Sequence, residues 1–582
     1  MSPSKTPQFD ALLDPILNQL VPHTRECLWK GKNPHCTGTF GIEEGDIEFL
    51  RMLRVPPSNY CPTCRRMRRM VHMGVNRLFK RPCQAPGHNE TVISSFSEQC
   101  PFPVYDYKYF ISDEFDPFSY GRVYEGGSPL EFLFALRALF PMPSFLNRDP
   151  SCINSEYSSG GRNTKNAYYA SGCYGSEDIW YSNMAGDSRS VMDSRLIHSS
   201  ELVYGSLKCE HLYKTSFAYF SSNCSDCTFI FDCKNCSDCF GCVNVRNGRY
   251  QVFNQQLSKE EYEAFIASVM PLSRSMIAEL SERFWALVKS LPMNASHNIG
   301  SSNVSGVGIE FSQDLYDCVE AKNCQHMRYV DSGLSHKDSM DVLFSGGYSH
   351  HLYGTINIGS HSSGVRFSVS SKFCTDCEFI FNSKNLTNCF MCFGLQNKSY
   401  CILNTQYSED EYYKIVDIIK SEMLTRGEYS DPLGFEFAAQ AYNFSLSAIP
   451  YPLSSEEIKV LGGYSADEPD TNATGITVLK ASDVPDVIDA VSDDILEEAI
   501  ACSATGRPFR IVSTELAFYR RMKLPIPVVH PSVRLEDQYR MAQHGKTYKT
   551  TCVHCGTIID SMFDPNDGFV LYCETCFQRE VV

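Results

Sequence analysis

Between about residues 126 and 427 the hydrophobic positions follow no helical stripe. They fall in short clusters of Val, Ile, Phe and Tyr, each opened by small or polar residues and closed by Ser, Asn or Gly. Set in lines of about twelve they read GSEDIWYSNMAG, DSRSVMDSRLIH, SSELVYGSLK, CEHLYKTSFAYFS, SNCSDCTFIFDCK and NCSDCFGCVNV. β-Branched and aromatic clusters suit strands, and small polar residues suit turns. Repetition at so short a period predicts a mainly β chain, a parallel β-helix (β-solenoid) in which each rung pairs with the next. Twelve residues are then either one narrow coil or half of a wider one. Two stretches break the pattern with a helical start. LSKEEYEAFIASV opens on Ser258-x-x-Glu261 and YSEDEYYKIVDII on Ser408-x-x-Glu411, both capping boxes. Helices there would cover an open strand edge, the first running to about residue 291. Residues 428–481 show little periodicity and read as a linker. SDVPDVIDAVSDDILEEAI, residues 482–500, reads as an acidic amphipathic helix.

The rungs are duplicated. Sliding the chain by 150 sets Cys224, Cys227, Cys239 and Cys242 on Cys374, Cys377, Cys389 and Cys392, and Tyr250, Asn254 and Tyr262 on Tyr400, Asn404 and Tyr412. A repeat on this scale outranks local readings. Its mismatches carry information: Cys233 faces Ser383, and Cys236 faces Leu386. Leucine cannot replace a metal ligand, but it can replace a packing residue. Three readings of the rung cysteines stand: thiols filling a narrow interior, which we favour, a metal shared between rungs, and a disulfide ladder.

Bulk properties narrow the class. The chain has 582 residues, 27 cysteines and a net charge of −16. That charge opposes a general nucleic-acid coat or a membrane-surface protein. The N-terminal stretch does not read as a secretory signal, and no apolar run is long enough for a membrane span. A cysteine-rich chain of this size without export features is expected in the cytoplasm, with reduced thiols, or in a virion if a virus encodes it.

The strongest chemistry lies at the ends. Cys552-x2-Cys555 and Cys573-x2-Cys576 are two knuckles of the kind that supply four tetrahedral ligands to zinc, with Gly556 easing the turn. Sliding by 469 brings DIEFLRMLRVP, from Asp46, onto ELAFYRRMKLP, from Glu515, and Cys83 onto Cys552. One ribbon module therefore occurs at both ends, and each copy has lost a different pair of knuckles. In the first copy Cys61-x2-Cys64 is intact and Cys36 and Cys27 complete a second zinc site, with His35 as a substitute ligand. Pro86 faces Cys555, so the other N-terminal site reads as lost. In the second copy His530 and Val533 face Cys61 and Cys64, and Cys502 stands alone.

CPTCRRMRRMVHMGVNRLFKRP carries Arg65, Arg66, Arg68, Arg69, Arg77, Lys80 and Arg81 with no acid between Cys61 and Cys83. Such a ribbon could grip phosphates; the plainer expectation is pairing with the chain's own acids, residues 482–500 among them, or with a neighbouring subunit. There is no H-E-x-x-H, phosphate-binding P-loop or G-x-S-x-G. His350-His351 are adjacent and suit a turn or surface better than a shared ligand set. Glu177, Asp178, Glu201, Asp226 and Asp238 recur with the rungs and read as turn residues rather than catalytic acids.

The order of VPPSNYCPTCRRMRRM, PFPVYDYKYFISDEFDPFSYGR, FGCVNVRNGRYQVFNQQLSKEEY, PFRIVSTELAFYRRMKLPIP and LYCETCFQREVV resembles a group of cysteine-rich zinc-ribbon proteins encoded by very small bacteria. The resemblance spans nearly the whole chain. It implies zinc ribbons and names no activity. This chain departs from the group in having fewer rung cysteines and in lacking cysteine pairs at 83/86 and 530/533.

The expectation is a duplicated parallel β-helix with capping helices and zinc-ribbon modules at both ends. Its divisions are 1–125, 126–291, 292–427, a linker over 428–481, and 482–582. Its work is expected to be non-catalytic scaffolding, with a protein partner or self-assembly and no membrane or small-molecule substrate. Nucleic-acid binding through the basic ribbon and a place in a virion or other particle are the alternatives.

Overall fold

The computed structural model describes residues 4–75, 77–145, 149–469, 474–542 and 546–582. The chain forms two compact units, each assembled from distant segments. One holds Met1–Leu146, Ser296–Asp467 and His544–Thr547; the other holds Asn147–Ala295, Glu468–Gln543 and Tyr548–Val582. The N-terminal ribbon thus belongs with the second set of rungs, and the C-terminal ribbon with the first. The linear division expected from the sequence is corrected accordingly. The expected linker is also folded: Tyr429, Leu433, Phe435, Phe437 and Tyr442 are buried in the first unit, and Ser455–Val460 is a capped helix. Residues 470–473 of that stretch lie outside the described residues.

The molecule is mainly β, with parallel sheets. In the second unit, strand Arg189–Met192 pairs with Glu177–Trp180 on one side and Glu201–Tyr204 on the other, and Asn183–Gly186 pairs with Arg195–His198. In these pairs the partners are twelve residues apart, so twelve residues bring the chain from one strand to its neighbour.

A shorter period governs the side chains. Asp178, Tyr181, Met184, Asp187, Ser190 and Asp193, every third residue, hold φ between 47° and 59°. This left-handed region is costly for most L-residues and mildest for Asn and Asp. That explains Asp178, Asp226 and Asp238, which sit at such corners; Glu177 does not, and pairs with Lys165 one rung away at 2.7 Å. The residue after each corner points inward. Ile179, Ser182, Ala185, Ser188, Val191, Ser194 and Ile197 are all buried. Cys224, Cys227, Cys233, Cys236, Cys239 and Cys242 continue this series and belong to one core cluster with Ile179, Val191 and Val203. Their spacing by threes is the spacing of inward positions.

Such a core needs small side chains that can also serve the backbone. The inward N–H of Ser194 donates to Ser182 Oγ one rung back at 3.1 Å, and that of Ser206 to Ser194 Oγ at 3.0 Å. Each serine in turn donates to a carbonyl two residues earlier, Ser194 to Met192 at 2.8 Å. Cysteines do the same more weakly: the Ser221 N–H donates to Cys209 Sγ at 3.4 Å, and Cys233 Sγ approaches the Phe231 carbonyl at 3.6 Å. Buried backbone donors are thus met from inside the core, as burial requires.

The second set of rungs repeats this with irregularities, the first an eleven-residue spacing at Ser302↔Gln313 with a register shift before Gly306. Spacing is twelve at Gln325↔Lys337, thirteen at Met340↔Tyr353 and His350↔Ser363, and twelve again at Ser363↔Thr375. Two residues are inserted, near Gly347–Tyr348 and Ser360–His361, where consecutive residues have positive φ. The offset between the two sets is therefore 148 before the insertions and 150 after them.

Both capping boxes form: Glu261 N–H to Ser258 Oγ at 3.2 Å and Glu411 N–H to Ser408 Oγ at 3.4 Å. Tyr262 and Tyr412 pack on Tyr250 and Tyr400, each at 5.7 Å between ring centres. The first helix ends at Val269 and a second, Arg274–Ser290, follows Pro271. The acidic helix expected over 482–500 is absent. Short 3-10 turns (Ala481–Asp483, Ile488–Ala490, Asp493–Leu496) lead to a strand at Ala499–Ala501. Val484, Ile488, Val491 and Ile495 are buried at helix-like spacing, but Pro485 removes a backbone donor and clashes with a continuous helix.

The ribbons match closely. Helix Glu44–Leu53 corresponds to Ser513–Met522, and strand Phe79–Pro82 to Tyr548–Thr551, at the offset of 469. Strand Thr91–Ser94 corresponds to Ile558–Ser561 at 467, because the N-terminal hairpin loop is two residues longer. Among the described residues no helix is long and apolar enough to cross a membrane.

Candidate metal centres

Two sets of four cysteines converge. The sulfurs of Cys27, Cys36, Cys61 and Cys64 lie within 4.8 Å of one another, as do those of Cys552, Cys555, Cys573 and Cys576. Both sets could hold a metal ion such as zinc, which takes thiolates in tetrahedral array.

In the first set the hairpin His23–Glu26/Thr39–Ile42 brings Cys27 and Cys36 together, and the start of helix Pro62–Met70 brings Cys61 and Cys64. The Cys61 N–H donates to Cys27 Sγ and the Gly38 N–H to Cys36 Sγ, both at 3.3 Å. Asn33 Nδ2 donates to Cys64 Sγ at 3.3 Å. Donors aimed at sulfur favour thiolate and orient the ligands. His35 does not substitute: its Nε2 lies 2.9 Å from the Pro452 carbonyl. The crowded sulfurs push one another apart in acidity. Hydrogen bonding with Cys27 holds the Cys61 thiol far below its ordinary range and drives Cys64 far above. A cation bound among these four sulfurs would allow all of them to be thiolates.

In the second set Gly556 (φ 75°) turns the knuckle between Tyr548–Thr551 and Ile558–Ser561. Cys573 and Cys576 open the last helix, Glu574–Val581, and the Cys576 N–H donates to Cys573 Sγ at 3.4 Å. Cys555 and Cys573 sulfurs are 3.8 Å apart. The Thr557 hydroxyl, 3.3 Å away, holds the Cys555 thiol down to about 6, while loss of water and the neighbouring sulfurs push Cys576 up to about 12.

The counterpart of the first set in the C-terminal ribbon keeps its backbone without its ligands. The His530 N–H donates to Cys502 Sγ at 3.2 Å, as Cys61 does to Cys27. Val533 stands where Cys64 does.

The basic stretch does not form a phosphate-facing surface. Arg65, Arg66, Arg68, Arg69, Arg77 and Arg81 are exposed by only 2, 7, 8, 0, 5 and 3%. Lys80 alone faces solvent, because Phe79–Pro82 alternates inward and outward. Four of the arginines lie on helix Pro62–Met70 and enter acids of the rungs or the segment after them. Arg65 and Arg69 both bind Asp341 at 2.7 Å, Arg66 binds Asp331 at 3.0 Å, and Arg68 approaches Glu436 at 3.8 Å. Arg77 lies over the Phe444 ring, and Arg81 donates to Gln84 at 2.7 Å. Pairing with the chain's own acids is the outcome, through these residues rather than 482–500.

The other unit repeats the tie. Arg534, at the position of Arg65, binds Asp193, at the position of Asp341. Tyr181 and Tyr329 lie under the two guanidiniums at 4.7 and 4.9 Å. This fastening is hidden from sequence reading, because the offset of 150 does not set Asp193 on Asp341.

No family model matches the sequence, and no curated protein matches it. Among solved structures, a protein of Desulfovibrio desulfuricans provisionally named an acetyltransferase aligns at 10% identity and a TM-score of 0.10, over 40% of this chain. The match spans 61% of that protein's length. At that score the likeness carries no argument about fold or activity.

Proposed function

We propose that this protein is a non-catalytic, zinc-stapled scaffold. Its two sets of rungs are β-solenoids with four sides of three residues, their interior filled by small side chains and thiols. Zinc occupies the two four-cysteine sites and holds the ribbons shut. Such sites are closed, with every position taken by protein, and suit structure rather than reaction. The supporting observation is the tie just described. In both units the ribbon helix drives an arginine into a buried rung carboxylate, so the ribbon is fastened along the rungs and the rung surface elsewhere is left for a partner.

That surface carries a candidate contact. Tyr348, His361 and Phe373 stack on successive rungs at 5.6 and 6.3 Å between ring centres. Tyr348 is 70% exposed. Aromatic residues on a rigid ladder suit a protein partner or a second copy of this chain. The test is capture of partners from the native source with nuclease present, beside solution mass of the purified protein. Binding or assembly that survives nuclease and is lost in a Tyr348→Ala/Phe373→Ala double variant supports the reading. A monomer that captures nothing, or capture that needs nucleic acid, defeats it.

A further inference from the structure

A third ligand group lies in the N-terminal ribbon, where the sequence shows only a lost site. Cys83, His88 and Glu90 bring one sulfur, one ring nitrogen and one carboxylate oxygen within 4.8 Å of one another. Cys83 is buried, His88 half-buried and Glu90 exposed, so the group opens to solvent from one side.

Its place in the fold matters most. It sits at the tip of the hairpin Phe79–Pro82/Thr91–Ser94, which corresponds to the hairpin of Cys552 and Cys555. Cys83 stands at the position of Cys552. The Cys83 N–H donates to the Glu90 carbonyl at 2.9 Å, as the Cys552 N–H does to Thr557 at 2.8 Å. Gly87 (φ 80°) turns the loop as Gly556 does. The two extra loop residues separate the offsets of 469 and 467 and carry His88 and Glu90 to the mouth of the old site. Across from them, Asp106 occupies the position of Cys573. Its N–H donates to Cys83 Sγ at 3.2 Å, while its carboxylate caps the next helix through Lys108 and Tyr109 N–H groups at 2.9 and 3.2 Å. The sulfur therefore has an oriented donor of the kind seen at the four-cysteine sites.

We infer that Cys83, His88 and Glu90 form a third site for a divalent transition metal such as zinc, with a solvent molecule as the remaining ligand. His88 Nδ1 and Glu90 Oε1 are 2.8 Å apart. The ion takes the place of the ring proton between them, and the other ring nitrogen keeps the hydrogen. Cys83 loses its thiol proton to solvent on binding, so occupancy falls in acid. One thiolate, one imidazole and one carboxylate form a donor set that zinc accepts, and three protein ligands leave a position open to exchange. The two closed sites in the same molecule have no such position.

The test is metal stoichiometry of the full chain, stripped with chelator, refilled with zinc and freed of excess. His88→Ala and Glu90→Gln each bind one equivalent fewer than the parent protein. His88→Cys, which restores a ligand, returns to the parent count. Cobalt refilling gives a parent-minus-variant spectrum with sulfur-to-metal absorption from a single thiolate. Glu90→Gln is a conservative change at an exposed residue and preserves the fold, which thermal unfolding of the metal-free forms checks. Equal counts in the parent, His88→Ala and Glu90→Gln overturn the site. The readout is a difference between parent and variant, so it stands apart from how the four-cysteine sites fill and from whether the protein is a scaffold.

Discussion

The two units are copies of one design that have dismantled opposite halves of it. Both join a ribbon to a set of rungs by an arginine entering a buried aspartate. In the unit of the N-terminal ribbon, the four-cysteine site lies at the first knuckle, beside that arginine, and the hairpin site has turned into the Cys83–His88–Glu90 group. In the other unit the hairpin keeps four cysteines, and the first knuckle keeps Cys502 and its sulfur–amide bond alone. A knuckle can thus hold its backbone shape without metal when the rungs support it.

The fastenings differ too. Asp341 receives two guanidiniums, Arg65 and Arg69, whereas Asp193 is bound by Arg534, which also lies 3.8 Å from Glu515. Asp46, the counterpart of Glu515, is answered at 2.9 Å by Arg328. The position equivalent to Arg328 in the other unit is Trp180, which brings no charge. Burial then pushes the Glu515 carboxyl up to about 7, with Arg534 lowering it only in part and Asp193 raising it. One arginine faces two acids, and Asp193 holds the closer contact.

The largest expected effect breaks this comparison at its strongest point. Asp341→Ala leaves two buried guanidiniums without their carboxylate and should cost about 3–5 kcal/mol or more. Asp193→Ala leaves Arg534 with Glu515 as its remaining carboxylate and should cost less. Thermal or denaturant unfolding of both variants decides the order; equal losses would show that the ties are not what distinguishes the units.

Next comes metal. Cys61→Ser and Cys555→Ser should each release one metal ion per chain and loosen their own ribbon, since binding energy of a structural site is folding energy. Cys502→Ser, at the dismantled knuckle, should change no metal count and cost about 1 kcal/mol. Unchanged stoichiometry in either of the first two variants removes that site from the scheme.

A pH effect of similar or smaller size should separate the units. The folded-state value of Glu515, about 7, is above the ordinary 4.5. The folded form therefore holds this proton more tightly, and the associated stability is fully present below about pH 4.5 and lost as pH rises through 7. The loss is at most about 3.5 kcal/mol, from ~1.4 kcal/mol for each tenfold change in proton affinity. Unfolding of the Glu515 unit should become easier between pH 5 and 8, and Glu515→Gln should flatten that slope. A slope unaltered by the substitution would assign the dependence to another group.

The smallest effect concerns the rung thiols. Cys236→Ala should cost about 1 kcal/mol and release no metal, because Leu386 fills the equivalent position in the other copy. Burial pushes Cys173 and Cys209 up to about 12, so these thiols should react slowly with alkylating reagents until the protein is unfolded. Metal loss from Cys236→Ala would return the rung cysteines to the ligand class.

Much of the local architecture was legible. The capping boxes at Ser258 and Ser408, the twelve-residue repeat, the ligand set at Cys552–Cys576 and the harder set Cys27–Cys36–Cys61–Cys64 all follow from spacing, because each depends on residues near in sequence or on a duplicated motif. The three-residue period was also present, in Asn or Asp before a small inward residue (Asp226-Cys227, Asp238-Cys239), but the twelve-residue lines obscured it. The 482–500 helix failed because burial at helix-like spacing does not require a helix when proline interrupts it.

The sequence by itself determined the repeat, the small interior and the cysteine clusters, since these rest on periodicity and ligand chemistry carried by the chain. Only the tertiary structure decided which ribbon joins which set of rungs, that six arginines of the basic stretch are buried rather than displayed, and that His88 and Glu90 meet Cys83. The first two rest on contacts across hundreds of residues, apart from Arg81, which is held by Gln84 and Ser97, and the last depends on how a lengthened loop folds back. In each case the energy lies in burial and pairing that no local pattern records.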